Sequence, residues 1–256
     1  MTAPEHFFCR VKTGTLHGVR AGKGTPLVLL HGNGQSWHEF APVLPALSGR
    51  FDVVAFDMPG HGDSIASDTR LSIEAFAGAI SEGMRELDIA RAIVAGSSIG
   101  AFIAAVLAAK HAALVAGAIF AEAQLRTPAW WAAAWPVVEQ LFAIPTQSRE
   151  QVEARHVAPV SDAELIRWNI DRNKAGTWSM LNAMWAIREH DLAASLAAVK
   201  TPALLMFGAK GPALETADAL YAAIPRAGRA VIADAGHFLV ADQPDAFVRH
   251  ILEFAA

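Results

Sequence analysis

The stretch AIVAGSSIGAFIAAVLAAK places Ser98 at the centre of Gly96-Ser97-Ser98-Ile99-Gly100, between an apolar β-branched run and an alanine-rich pattern. A G-x-S-x-G pentapeptide alone says little, since glycine and serine are common. Between a strand and a helix it is specific: so sharp a turn holds its central residue strained and exposed, and the flanking glycines let the two elements pack closely. Ser98 is the candidate nucleophile, with the helix N-terminus behind it. Ser97 carries the same hydroxyl in the wrong place and reads as structural. The competing reading is a Gly/Ser-rich turn in which a serine only caps the helix.

A serine hydroxyl needs a base, and the oxyanion formed by its attack needs donors. Towards the other end of the chain, AVIADAGHFLVADQPDAFVRHILEF sets His237 in a loop between the last apolar run and the last helical pattern. The C-terminal edge of a parallel sheet is where such folds build their sites, which singles out His237 among the ten histidines. VLLHGNGQSWHEF supplies donors: His31-Gly32-Asn33-Gly34 follows an early strand, and its glycines free the backbone to turn N–H groups towards the site. The N–H groups of Asn33 and Ile99 form the expected oxyanion hole, with Gly34 as the alternative. His31 is expected to brace this loop by hydrogen bonding.

Short apolar runs alternate with helical patterns along the chain. FFCRVKT and TLHGVRAG flank Gly14 as a hairpin; PLVLL, FDVVAF, AIVAG, VAGAIFA, ALLMF and AVIAD follow as strands. Between them, SIEAFAGAISEGMREL, AFIAAVLAAK, LETADALYAAI and PDAFVRHILEF carry apolar residues three and four apart. This alternation predicts a parallel sheet covered on both faces. Residues 123–199 break the rhythm: they offer no good strand and hold Trp130, Trp131, Trp135, Trp168, Trp178 and Trp185. They are expected to form a helical cap, with residues 1–122 and 200–256 making the core.

A chain of 256 residues lies between one and two average domains and can bury roughly three quarters of the surface it exposes when unfolded. With 18% charged residues and a net charge of -4, it has no basic footprint for nucleic acid or for an anionic membrane surface. The expected partner is a small molecule. No signal-like start and no uninterrupted run of about 18 apolar residues is visible, so a soluble cytoplasmic protein is expected. Cys9 is the single cysteine and reads as a buried, inert thiol. No Cys/His cluster or dinucleotide glycine motif is present, so neither a metal nor an organic cofactor is expected.

HGNG, FDMPGHGDS, GSSIG, KTPALLMFG and DAGHFLVADQPDAFVRHILEF resemble, in content and order, the motif series of the α/β-hydrolase fold family. The resemblance covers nearly the whole chain outside residues 123–199. It implies an α/β sheet of about eight strands with a helical cap after strand 6, and a catalytic triad in the order nucleophile, acid, histidine. It further implies an aspartate about three residues into the loop that Gly208 opens. That position is Gly211.

The acid matters because it fixes the histidine tautomer and stabilises the imidazolium; an amide in its place can cost about 10⁴ in rate. Asp234 lies only three residues before His237 and reaches the far side of the ring poorly. Glu215 comes late on its loop, in what reads as a first helical turn. Asp57 and Asp63 belong to the DMPGHGDS turn and read as structural. Glu122, at the tip of the neighbouring strand, can enter the same cavity, and this placement resembles the haloalkane dehalogenases whose acid is a glutamate after the sixth strand. The alternative is that Glu122 only caps the insertion or pairs with Arg126.

Dehalogenases and epoxide hydrolases of this fold use an aspartate nucleophile, so Ser98 points instead to acyl transfer: an apolar or aromatic ester-type substrate cleaved through an acyl-enzyme by Ser98, His237 and Glu122. Trp130, Trp131, Trp135, Trp185 and Phe238 are candidates to line its pocket. Thioesters and lactones remain open within this class. Carbon–carbon hydrolysis of dienol-ketones is a second reading, and a non-catalytic binding protein, favoured by Gly211, is a third.

Overall fold

The apolar runs pair into one sheet because each can be covered on both faces. The computed structural model describes residues 3–256. Its strands are β1 (Glu5–Val11), β2 (Gly14–Gly22), β3 (Thr25–Leu30), β4 (Phe51–Phe56), β5 (Ala92–Ser97), β6 (Val115–Ala121), β7 (Ala203–Gly208) and β8 (Gly228–Ile232). They lie in the order β1-β2-β4-β3-β5-β6-β7-β8. β1 and β2 form an antiparallel hairpin, β2 joins β4 antiparallel, and β3 to β8 run parallel. The last strand ends two residues earlier than the apolar run suggests. Ile232 pairs with Gly208, the final residue of β7, so the ladder stops there and the chain turns through Asp234 at φ 53.

The helices are α1 (Leu44–Leu47), α2 (Ile73–Glu86), α3 (Ile99–Lys110), α4 (Pro128–Ala143), α5 (Arg149–Glu153), α6 (Asp162–Glu189), α7 (Leu192–Ala197), α8 (Ala217–Ala223), α9 (Leu239–Asp242) and α10 (Pro244–Phe254). α2 begins where the Ser72 hydroxyl accepts from the Ala75 N–H, and it buries Ile73, Phe76, Ala77, Ile80 and Met84 at helical spacing. α3 is buried almost all round, which its alanines permit. Two apolar cores result, one on each face of the sheet.

The stretch between β6 and β7 is helical, comprising α4 to α7. Thr127 caps α4, while Ser148 and Ser161 each form a capping box with the Gln or Glu three residues on. α6 bends at Gly176, whose φ of 67 and ψ of 171 leave the helical region. Among the described residues no helix is long and apolar enough to cross a membrane.

Two glycines of the pentapeptide are dictated by contact. A side chain at Gly96 would fall on the Gly100 carbonyl, and one at Gly100 on the Leu30 carbonyl, so β5, α3 and β3 pack backbone to backbone. Gly78, on α2, has nothing within 4 Å. Gly100→Ala should therefore destabilise the protein by about 2 kcal/mol or more. Gly78→Ala should stabilise it by about 0.5–1 kcal/mol. Urea unfolding of both variants checks the contrast; equal effects would contradict the close approach.

Candidate active site

β5 delivers Ser98 to the C-terminal edge of the sheet. Its φ of 54 and ψ of -116 lie outside the regions that L-residues favour, the strained turn expected between strand and helix. The Ser98 N–H donates to the Ala121 carbonyl at 2.9 Å, holding the turn against β6. Ile99 is the first residue of α3, where backbone N–H groups have no helical acceptor. Ser97 is buried beside the Glu39 carboxylate.

The loop after β3 faces this turn. Gln35 donates to the Gly32 carbonyl at 3.2 Å, closing a turn with Gly34 at φ 78. His31 Nδ1 lies 2.7 Å from the Gly32 carbonyl, and its Nε2 accepts from the Met58 N–H at 3.0 Å. The ring is thus a neutral strut from β3 to the loop after β4. Asn33 Nδ2 donates to the Met180 carbonyl of α6 at 2.9 Å, while its Oδ1 faces His61 Nε2 at 3.1 Å. From beneath, the Gly32 N–H donates to Glu39 Oε2 at 2.7 Å. Burial pushes the Glu39 carboxyl up, opposed by the bonds from Gly32 and Ser97 and by His237.

Glu122 leaves β6 with φ 54, and its side chain is fully buried. Oε1 accepts the Gly208 N–H at 2.7 Å, and Oε2 lies 3.1 Å from His237 Nδ1. A Cβ built on Gly211 would stand 2.8 Å from both carboxylate oxygens. The Glu122 carboxylate fills the space that a side chain at position 211 would need. The other carboxylates are placed elsewhere. Asp234 is 71% exposed and binds Lys210 at 2.9 Å, which holds its carboxyl below the usual range. Glu215 pairs with Arg126 at 3.1 Å, so that arginine is engaged away from Glu122. Asp57 accepts from the Trp37 and Asp63 N–H groups and meets His17 Nδ1 at 2.6 Å.

A cavity of about 370 Å³ is lined by Asn33, Ser98, Glu122 and His237, and by residues of the inserted helices. Trp130, Trp131 and Phe238 line it; Trp135 and Trp185 do not. Those two pack on each other, ring centroids 4.3 Å apart, with Arg188 over both, and so join α4 to α6. The helical spacing of Trp135 from Trp131 thus reflects packing between helices rather than lining. Sequence reasoning missed Arg155, which lines the cavity from the turn after α5, and Asp242, which ties that turn to the His237 loop. Neither carries a motif. Ligand atoms of His17, Asp57 and Asp63 lie within 4.8 Å of one another and could hold a cation, but the Asp57 carboxylate there already serves loop N–H groups.

Residues 27–250 match the family model described as the Alpha/beta hydrolase family. The chain belongs to this family. Among curated relatives of this chain, the soluble epoxide hydrolase of Corynebacterium sp. strain C12 is 57% identical over 49 residues, 19% of this chain and 17% of the relative. The (E)-2-((N-methylformamido)methylene)succinate hydrolase of Acinetobacter baylyi is 34% identical over 89 residues, 35% of this chain and 34% of the relative. The matches thus span 17% and 34% of these relatives' length. Among solved structures, the enol-lactonase from Burkholderia xenovorans LB400 superposes with a TM-score of 0.80 at 25% identity, covering 97% of this chain and 99% of that one.

The histidines bracing the site make the protein acid-sensitive. Burial, with His31 nearby, pulls the fully buried His61 down to about 3, and burial likewise lowers His31. A histidine that stays neutral when folded but titrates near 6.5 when unfolded leaves the unfolded state holding more protons below that pH. Stability is therefore full above about pH 7 and falls as pH drops. His61 alone should remove about 2 kcal/mol between pH 7 and pH 5. Urea unfolding at the two pH values tests this, and His61→Gln should flatten the difference.

Proposed function

We propose that this chain is a serine hydrolase that cleaves a carboxylic ester or related acyl bond by way of an acyl-enzyme. The observation that carries the reading is the buried Glu122 carboxylate 3.1 Å from His237 Nδ1, in a cavity that Ser98 also lines. With Nδ1–H donated to Glu122, the free nitrogen of His237 is Nε2, the one that serves as base. Ser98 Oγ attacks the carbonyl carbon as His237 takes its proton, and the N–H groups of Asn33 and Ile99 hold the oxyanion. Collapse expels the alcohol with a proton from His237. Water activated by the same ring then releases the acid and regenerates Ser98. The inserted helices act as a cap that encloses the acyl group.

The resemblance to an enol-lactonase supports an ester or lactone carbonyl. Epoxide opening by direct displacement suits a carboxylate nucleophile, and the turn carries Ser98. A binding-only role drew its support from Gly211, and a carboxylate held at that very place by Glu122 speaks for retained chemistry.

A fluorophosphonate probe should label the protein at Ser98, and Ser98→Ala should abolish both labelling and hydrolysis of p-nitrophenyl esters. Glu122→Gln should lower kcat by about 10²–10⁴, with KM changed far less. Asp234→Asn should leave kinetics near wild type. Full activity in Glu122→Gln with loss in Asp234→Asn would overturn the assignment of the acid. Turnover of a dienol-ketone faster than of any aryl ester would move the reaction to carbon–carbon bonds.

A further inference from the structure

Arg155 is set apart from the other arginines of the inserted helices by the cavity it lines. Arg126 pairs with Glu215, Arg149 with Glu153 and Asp162, and Arg167 with Asp171. Arg172 donates to the carbonyls of Leu141, Ile144 and Pro145 at the end of α4. Arg155 lines the cavity of Ser98 and His237, and its Nη1 is buried with no hydrogen-bond partner among the described residues; Arg167 Nε and Arg172 Nη1 share that lack, but neither residue lines this cavity. Burial, reinforced by the Arg172 cation, lowers the guanidinium to about 10, which still leaves it charged at neutral pH. A cation partly withdrawn from water with no anion beside it is costly, and this one faces a cavity in which a ligand can complete it.

The position of this cation is fixed. Its Cζ stands 5.0 Å from the ring centroid of Phe238 and 5.4 Å from that of Trp168, so two aromatic faces hold the guanidinium. The buried Asp242 carboxylate accepts from the Val157 and Ala158 N–H groups at 2.8 and 2.9 Å, and from the Gly236 N–H at 2.8 Å. One side chain thus ties the turn carrying Arg155 to the residue before His237. Charge and base are held in register, the arrangement expected if both act on the same bound molecule.

We propose that Arg155 anchors a carboxylate on the substrate, so that the hydrolase acts on anionic acyl compounds, such as half-esters or lactones carrying a free acid, rather than on neutral esters. The assignment rests on the acyl-transfer reading of the site. The planar guanidinium suits a carboxylate, which it can meet with two parallel hydrogen bonds. The apolar walls from Trp130, Trp131 and Phe142 would carry the chain between the carboxylate and the scissile carbonyl. Binding energy from that remote anion orients the carbonyl against Ser98.

The test compares mono-p-nitrophenyl glutarate, adipate and suberate with p-nitrophenyl pentanoate, hexanoate and octanoate. At one or more chain lengths, wild-type kcat/KM for the anionic ester should exceed that for its neutral partner by about tenfold or more, chiefly through KM. Arg155→Met should reduce that ratio by about tenfold or more, and Arg155→Lys by less. A wild-type ratio at or below one at every length, or a ratio unchanged in Arg155→Met, overturns the inference. Fluorophosphonate labelling of Ser98 with turnover of the neutral esters, beside a flat ratio, places the failure on Arg155 alone. Without labelling or turnover the acyl-transfer reading fails instead. Calorimetric binding of adipate then decides: about tenfold weaker binding in Arg155→Met upholds the anchor, and equal or absent binding in both proteins overturns it.

Discussion

The site hangs on one buried carboxylate. Glu122 is taken wholly out of water, and an ionised carboxylate in such a place must be met by donors or it costs several kcal/mol. Two donors meet it, the Gly208 N–H at 2.7 Å and the His237 ring at 3.1 Å. One belongs to the last residue of β7 and the other to the loop after β8, so a side chain from the tip of β6 draws together three neighbouring strand ends. The positive φ at Glu122 is a local strain that aims the side chain across β7, and these bonds outweigh it. Gly211 is the counterpart: only a residue without Cβ leaves room for that carboxylate.

Around this pair the rest of the site is set by close backbone packing. Glycines at positions 96 and 100 let α3 press against β5 and β3, and the strained turn at Ser98 follows from that approach. Glu39 and His31 support the opposite wall from below, one accepting from Gly32 and the other spanning to Met58. Asp242 brings the inserted segment into the same framework through Gly236. The inserted helices thereby join the site at defined points, Met180 on Asn33 and the Arg155 turn on the His237 loop.

Much of this was legible in the sequence, for reasons that differ by element. The parallel core read clearly because its strands are continuous apolar runs, buried on both faces from Phe51 to Phe56 and from Ala92 to Ser97. The Ser98 turn read clearly because its glycines answer to backbone contact, which tolerates no substitute. Glu122 stands out only against the other carboxylates around the empty place at Gly211 and by its resemblance to the dehalogenases with a glutamate after the sixth strand; no local motif marks it. Trp135 and Trp185 show where periodicity fails: apolar spacing states that a helix face is covered, not whether it meets a partner helix or a cavity. Arg155 was illegible because its distinction is the cavity it faces, and its place there is set by Asp242 and Phe238, both distant in sequence.

The central claim is that the carboxylate serving His237 has moved from the loop after β7 to the tip of β6 and occupies the same space. Exchanging the two positions tests it most directly. In a folded Glu122→Ala, Gly211→Asp double variant the aspartate takes the volume that Glu122 vacates, and hydrolysis of p-nitrophenyl acetate should recover by at least about tenfold over Glu122→Ala. A double variant that unfolds at the same urea concentration as Glu122→Ala yet gains no activity would contradict the account.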